Sequence, residues 1–119
     1  INKISKSKMG LNLSQGKPAK YYCSDRFAQL IGNGLLVLVD EKTKFKNFLS
    51  NKEIITYKNI EDLAKKIIRY NKDDRLRKKI AKRGREKYHK YFNSKIIAEF
   101  IINKTFKISS KKYFWEQKI

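Results

Sequence analysis

Cysteine, histidine and proline occur once each in this chain of 119 residues, and acids are scarce, 11 against 30 lysines and arginines. With Cys23 alone, neither a disulfide framework nor a cysteine zinc site forms within the chain, which fits a reducing, cytoplasmic setting. The thiol is a nucleophile only with a base beside it. The sole histidine, His89, lies far along on a basic segment, so Cys23 reads as an idle or buried thiol. His89 reads as a surface residue, and a lone histidine makes no metal site. Pro18 excludes a helix interior from its surroundings. No apolar run approaches a membrane span. Glu53, Glu61 and Asp62 read as strand-edge and first-turn charges, not as the paired acids of glycoside chemistry. The first residue is Ile1 and no signal peptide precedes it, so we expect a fragment lacking its N-terminal part.

What is abundant is positive charge. The formal net charge is +19, which favours polyanions: nucleic acid, an anionic membrane face or a phosphorylated ligand. A compositional explanation competes and is preferred. The chain is rich in Lys, Ile, Asn, Tyr and Phe, the usage of AT-rich genomes, where lysine fills solvated positions. At 40% hydrophobic residues, the chain has material for a modest core and one domain.

The organising stretch runs from Ser24 to Asp40. Ser24 is placed to cap a helix and Asp25 to set negative charge at its positive end. Phe27, Leu30 and Ile31 recur at i, i+3 and i+4. Gly32 and Gly34 permit the left-handed turn that ends a helix. Leu35 to Val39 is apolar without alternation, as expected of a strand covered on both faces.

Before this stretch, Ile1 to Lys8 reads as the tail of a helix and Met9 to Leu13 as a strand. Ser14 to Tyr22 reads as a loop at the carboxyl edge, where open parallel sheets bind ligands. After it, Asp40 and Glu41 lead into a short helix with Phe45, Phe48 and Leu49. Glu53 to Tyr57 reads as a third strand. Asn59 caps a helix on which Ile60, Leu63, Ala64, Ile67 and Ile68 trace one apolar face. Asp73 and Asp74 start a basic helix with Leu76, Ile80, Gly84, Tyr88, Tyr91 and Phe92. Asn93 caps a last helix with Ile96, Ile97, Phe100 and Ile101. The end, from Thr105 to Ile119, is basic and aromatic, with room for a short helix packing back. The predicted fold is α/β: a partial Rossmann-like layer of three parallel strands with flanking helices and a helical C-terminal tail. Right-handed crossovers make it half of a doubly wound sheet.

In order and spacing, these segments resemble the C-terminal part of a GT-B glycosyltransferase, the glycosyl transferases group 1 domain of spore-maturation-like proteins. Gly10-Leu11-Asn12-Leu13-Ser14 is similar to the family's strand ending in Asn-Leu. Arg26-Phe27 to Gly34 is similar to its Arg-x-x-Glu-Ala-x-Ala-x-Gly helix. Glu53-Ile54-Ile55-Thr56-Tyr57 resembles its Glu-Ile-Val-x-Tyr strand, Ile60 to Tyr70 its Glu-Glu-Leu helix, and Arg75 to Tyr91 its Arg-x-x-Ile-Ala-x-x-Gly helix. The resemblance implies a nucleotide-sugar-binding domain over residues 1–105 and a basic aromatic tail over 106–119. It further implies a missing N-terminal acceptor domain that carries catalytic residues. Two glutamates, eight positions apart in related families, fall on Tyr21 and Gln29 here.

The resulting site expectation is the loop and helix from Lys17 to Gln29. Helix N-terminal amides, with Lys17, Lys20 and Arg26 nearby, suit a diphosphate. The expected contacts to the donor are Lys17, Tyr21, Ser24, Arg26 and Gln29, with the amide oxygen of Gln29 accepting from a ribose hydroxyl. The nucleotide-sugar is a substrate; no cofactor or metal is expected. The basic helix Arg75 to Lys90 is an alternative site for nucleic acid or for peripheral membrane contact. We prefer it docked on the sheet through Leu76, Ile80 and Tyr88, with its basic residues as the wet side. The competing function is a basic nucleic-acid-binding or non-catalytic interaction module.

Overall fold

A computed structural model describes residue 4, residues 6–14 and residues 16–118. Of the helix tail expected over residues 1–8, residues 1–3 and 5 lie outside them; Ile4 is helical, and residues 6–8 form a turn and bend rather than helix. Three strands, β1 (Met9–Asn12), β2 (Leu36–Asp40) and β3 (Ile55–Tyr57), form one sheet in the order β1-β2-β3. Both pairings are parallel, with Met9 opposite Leu36, Asn12 opposite Val39, Leu38 opposite Ile55 and Asp40 opposite Tyr57. Among the described residues four α-helices of more than one turn accompany it: α1 (Asp25–Gly32), α2 (Ile60–Lys72), α3 (Asp74–Tyr91) and α4 (Ser94–Phe106). The segment after β2 is not one helix but two 3-10 turns, Glu41–Thr43 and Phe45–Asn47. Lys44 breaks them apart with a left-handed φ of 57°.

The strands alternate side chains between faces, and this divides the core in two. Leu35, Val37, Val39 and Ile54 pack with Phe27, Leu30 and Ile31 of α1 and with Phe45, Phe48 and Leu49. Leu36, Leu38, Ile55 and Tyr57 pack on the other face with Tyr70 of α2 and with Ile80 and Ala81 of α3. Burying one such side chain contributes about 1.5–3 kcal/mol. α3 serves both faces, because Tyr88 and Phe92, near its C-terminus, lie against the first core. Gly84 sits between these two stretches. A Cβ there would stand 2.4 Å from the carbonyl oxygen of Glu53, so only glycine lets α3 approach the chain leading into β3. Glu53 secures the same contact by an ion pair to Lys87 at 3.4 Å.

The helix ends follow sequence logic. Asn59, Asp73 and Asn93 accept from the N–H groups of Asp62, Leu76 and Ile96. Gly34, at φ 79°, makes the left-handed turn after α1, while Gly32 remains inside the helix. The Leu35 N–H donates to Leu30 O and the Gly34 N–H to Ile31 O, both at 3.0 Å, the paired closure of a Schellman motif.

Two side-chain expectations change. Arg77, expected on the wet side of α3, is buried; it pairs with Asp74 and donates to Tyr70 O at 3.3 Å. It thereby satisfies a carbonyl near the end of α2 that would otherwise lack a partner. On α2 the apolar trace does not all face the core: Ile60, Ile67 and Ile68 are exposed and Leu63 is half-buried. The helix is instead oriented by Leu63, Lys66 and Tyr70, at i, i+3 and i+7. Lys66 Nζ donates to Thr56 O on β3 at 2.7 Å, and Tyr70 is buried beneath the sheet edge. Because β3 is short and marginal, there is too little sheet to cover the rest of the stripe.

The last segment packs back, as a 3-10 turn over Phe114–Gln117. Tyr91 and Phe114 stack with ring centroids 4.3 Å apart, and Trp115 stacks on Phe92 at 5.6 Å and on Tyr113 at 5.3 Å. Lys104–Glu116 and Lys111–Glu99 ion pairs, each 2.6 Å, tie the tail to α4.

Candidate functional site

At the carboxyl end of β1 the chain brings polar groups together where apolar ones would be the rule. Asn12 closes the strand and is 1% exposed. Its Oδ1 accepts a 2.8 Å hydrogen bond from Ser24 Oγ, which places the N-terminus of α1 at this rim. The amide Nδ2 of Asn12 and the hydroxyl of Ser14 are buried and have no hydrogen-bond partner among the described residues. Leaving such a donor unpaired costs about 1–3 kcal/mol.

The role of Ser24 differs from expectation. Its backbone takes the cap conformation, at φ −88° and ψ 159°, and its carbonyl receives the Phe27 N–H at 2.9 Å. Its side chain, however, makes no cap hydrogen bond. A buried amide oxygen gains more from the hydroxyl than an N–H that water can reach. The first-turn N–H groups of α1 are therefore left without a side-chain cap, at the positive end of the helix dipole.

Arg26 and Gln29, three residues apart, share the exposed face of α1, opposite Phe27, Leu30 and Ile31. Lys17 is exposed in the preceding loop. Neither Lys17 nor Arg26 enters an ion pair among the described residues. Tyr21 is held apart from this group. At a left-handed φ of 62° it donates its N–H to Thr43 O at 2.8 Å, and its hydroxyl accepts from Asn47 Nδ2 at 2.8 Å. Its ring meets Phe48 edge-on at 5.0 Å, and Lys20 Nζ stands 4.7 Å over it. Ser24, Arg26 and Gln29 thus lie on one short helix and its cap, whereas Tyr21 points into the aromatic core on the Phe27 side.

That side carries a cavity of about 330 Å³, walled by Tyr21, Cys23, Phe27, Phe45, Phe48, Leu49, Tyr88, Phe92, Ile97 and Trp115. Cys23 as a residue is exposed, but its sulfur borders this wall. Desolvation, and secondarily the Asp25 carboxylate, push the thiol up to about 11. The same burial, with Cys23 a lesser cause, raises the Tyr88 hydroxyl. A thiol so disfavoured as thiolate is a poor nucleophile at neutral pH. His89 is elsewhere, its Nε2 3.1 Å from Gly32 O at the other end of α1. Among the described residues, no three His, Cys, Asp or Glu side chains converge to hold a metal.

Asn12 and Ser14 were missing from the sequence-level site. The signal was present: a polar residue ending an otherwise apolar strand just before the ligand-edge loop. An asparagine in that place reads equally as a turn former, and only its burial separates the two.

No curated protein and no solved structure matches the chain. A sequence profile described as glycosyl transferase-like matches residues 1–103. The parallel α/β layer, the order of its segments and this match over most of its length agree, and the chain belongs to the glycosyl transferase-like family.

Proposed function

We propose that the rim built by Asn12, Ser14, Ser24 and the N-terminus of α1 holds the nucleotide-sugar donor of a glycosyltransferase. The observation that carries this reading is the buried, unpaired Nδ2 of Asn12 beside an uncapped helix start. A ligand oxygen at that point relieves the unpaired donor and meets the helix N–H groups at once. A diphosphate suits both, since its charge is favoured by the helix dipole and by Arg26. Gln29, one helical turn on, accepts from a ribose hydroxyl through its amide oxygen. Lys17 adds positive charge from the loop. Tyr21 acts from behind, fixing the loop through Thr43 and Asn47 rather than touching the donor. No residue of this chain is assigned to bond breaking; the acceptor and the groups that cleave the donor come from an acceptor-binding domain.

Titration calorimetry with UDP-, GDP- and ADP-sugars tests this reading. At least one is expected to bind, and changing Arg26 and Gln29 together to Ala should weaken it about 10- to 100-fold. Both side chains are exposed, so the fold should survive. Absence of binding to all three classes, or binding unchanged in the double variant, overturns the proposal.

A further inference from the structure

Ser24 has a single hydroxyl proton, and its destination is fixed. It is donated across 2.8 Å to Oδ1 of Asn12, so the hydroxyl has none left to give a ligand. The Asn12 side chain has two unlike ends, an oxygen that accepts and an NH2 that donates. With Oδ1 taken by Ser24, Nδ2 is the end left buried and without a partner among the described residues. The opposite orientation would turn Oδ1 away from Ser24 and the start of α1. That start is the positive end of the helix dipole and carries no side-chain cap, so it favours the oxygen on its side.

The groups that remain free at this rim are donors. Nδ2 of Asn12 and the hydroxyl of Ser14 are both buried and unpaired among the described residues. The N–H groups of Asp25 and Arg26 open α1 without a side-chain cap. The Ser14 hydroxyl can also accept, whereas an amide NH2 and a backbone N–H cannot. The acid of the first turn, Asp25, has an exposed side chain. An oxyanion is the partner that such a set matches, because hydrogen bonds to a charged acceptor are shorter and stronger than neutral ones. With the Asn12 amide turned over, a buried oxygen would face that oxyanion and repel it. The orientation of one buried amide thus decides which ligand group the rim accepts.

We infer that Ser24 is a positioning residue: its hydroxyl locks the Asn12 amide with the NH2 end toward the ligand, and so makes the rim select an oxyanion such as a phosphoryl group. Ser24 itself does not touch that group. The inference rests on the rim proposed above for the donor, but not on which base or sugar the donor carries.

Titration calorimetry of the 119-residue chain with inorganic pyrophosphate, at about 0.15 M salt to screen loose attraction, tests it. The unaltered chain should bind, and Ser24→Ala and Asn12→Ala should each weaken binding about tenfold. Because Ser24 acts through Asn12, the double variant should bind no more weakly than Asn12→Ala alone. Ser24→Thr keeps the hydroxyl and should stay within about threefold of the unaltered chain. Lys79→Ala, which removes an exposed charge on α3, should stay within about twofold. In amide NMR spectra the Asn12 NH2 resonances should shift when pyrophosphate binds, and stay in place in Ser24→Ala, a readout that does not need Asn12→Ala to fold. Circular dichroism of each variant checks the fold. Four outcomes overturn the inference: no pyrophosphate binding, undiminished binding in Ser24→Ala, losses that multiply to about a hundredfold in the double variant, or an equal loss with Lys79→Ala. The third would mean that Ser24 contacts the anion itself, and the fourth that net charge alone attracts it. If pyrophosphate behaves as expected and no nucleotide-sugar binds, the donor reading falls and the role of Ser24 stands.

Discussion

Gly84 shows how one missing methyl group sets the position of a helix. α3 lies where it does because the Glu53 carbonyl passes within reach of that Cα, and the contact is backbone, which cannot swing aside as a side chain does. Gly84→Ala must push α3 and the β3 lead-in apart. We expect a loss of about 1–3 kcal/mol, read as a lower urea midpoint with an unchanged denaturant slope. The usual helix preference for alanine over glycine, about 1 kcal/mol in the other direction, is then outweighed; a stabilised variant would contradict the contact. Glu53 adds a charge-based attachment at the same place. Partial burial raises its carboxyl, but hydrogen bonds from Ser50 and the nearby Lys87 bring it below the ordinary value. Arg77 teaches a related lesson, because its sequence neighbours Lys78 and Lys79 are exposed while it is buried.

Among the elements, the tail is the one held chiefly by side-chain chemistry. Its ion pairs lower the carboxyl pKa of Glu99, mainly through Lys111, and of Glu116, mainly through Lys104. A depressed carboxyl contributes stability above its unfolded value, about 4.3, and loses it as pH falls through the folded value. Acidification from neutrality towards pH 3 should therefore loosen the tail before the sheet. Trp115 is the only tryptophan and stacks within the tail cluster, so its emission should shift to the red ahead of the far-ultraviolet circular dichroism. Coincident transitions would show that tail and sheet unfold together. The regular elements themselves were legible in the sequence, because cap residues, glycine stops and apolar spacing are local signals. Asn59, Asp73, Asn93 and Gly34 each act where those signals put them. The rotation of α2 was not legible, since it depends on Lys66 reaching Thr56 and on how far β3 extends. Nor was the hydroxyl of Ser24, whose choice between its own helix and Asn12 is a matter of tertiary distance. Of the proposed site, the helix carrying Arg26 and Gln29 was readable in the sequence, and the buried polar pair at the strand end was not.

For the whole molecule, charge is the strongest influence outside the core. With 30 basic against 11 acidic side chains, most lysines have no acid to pair with and repel one another in the compact state. Raising ionic strength from very low values to about 0.15 M shortens the Debye length to about 8 Å. The melting temperature should rise over that range, opposite to a protein whose surface pairs dominate. A fall would mean that the ion pairs at Lys87, Lys104 and Lys111 outweigh the repulsion.

One helix also decides how the molecule comes apart. α3 contributes Ile80 and Ala81 to one side of the sheet and Tyr88 to the other, so neither side is closed without it. Releasing α1 from the first core strips Tyr88 of its support, and releasing α2 takes Tyr70 away from Ile80. The two layers are thereby latched by a shared rod, and each should lose its hold once the other has opened.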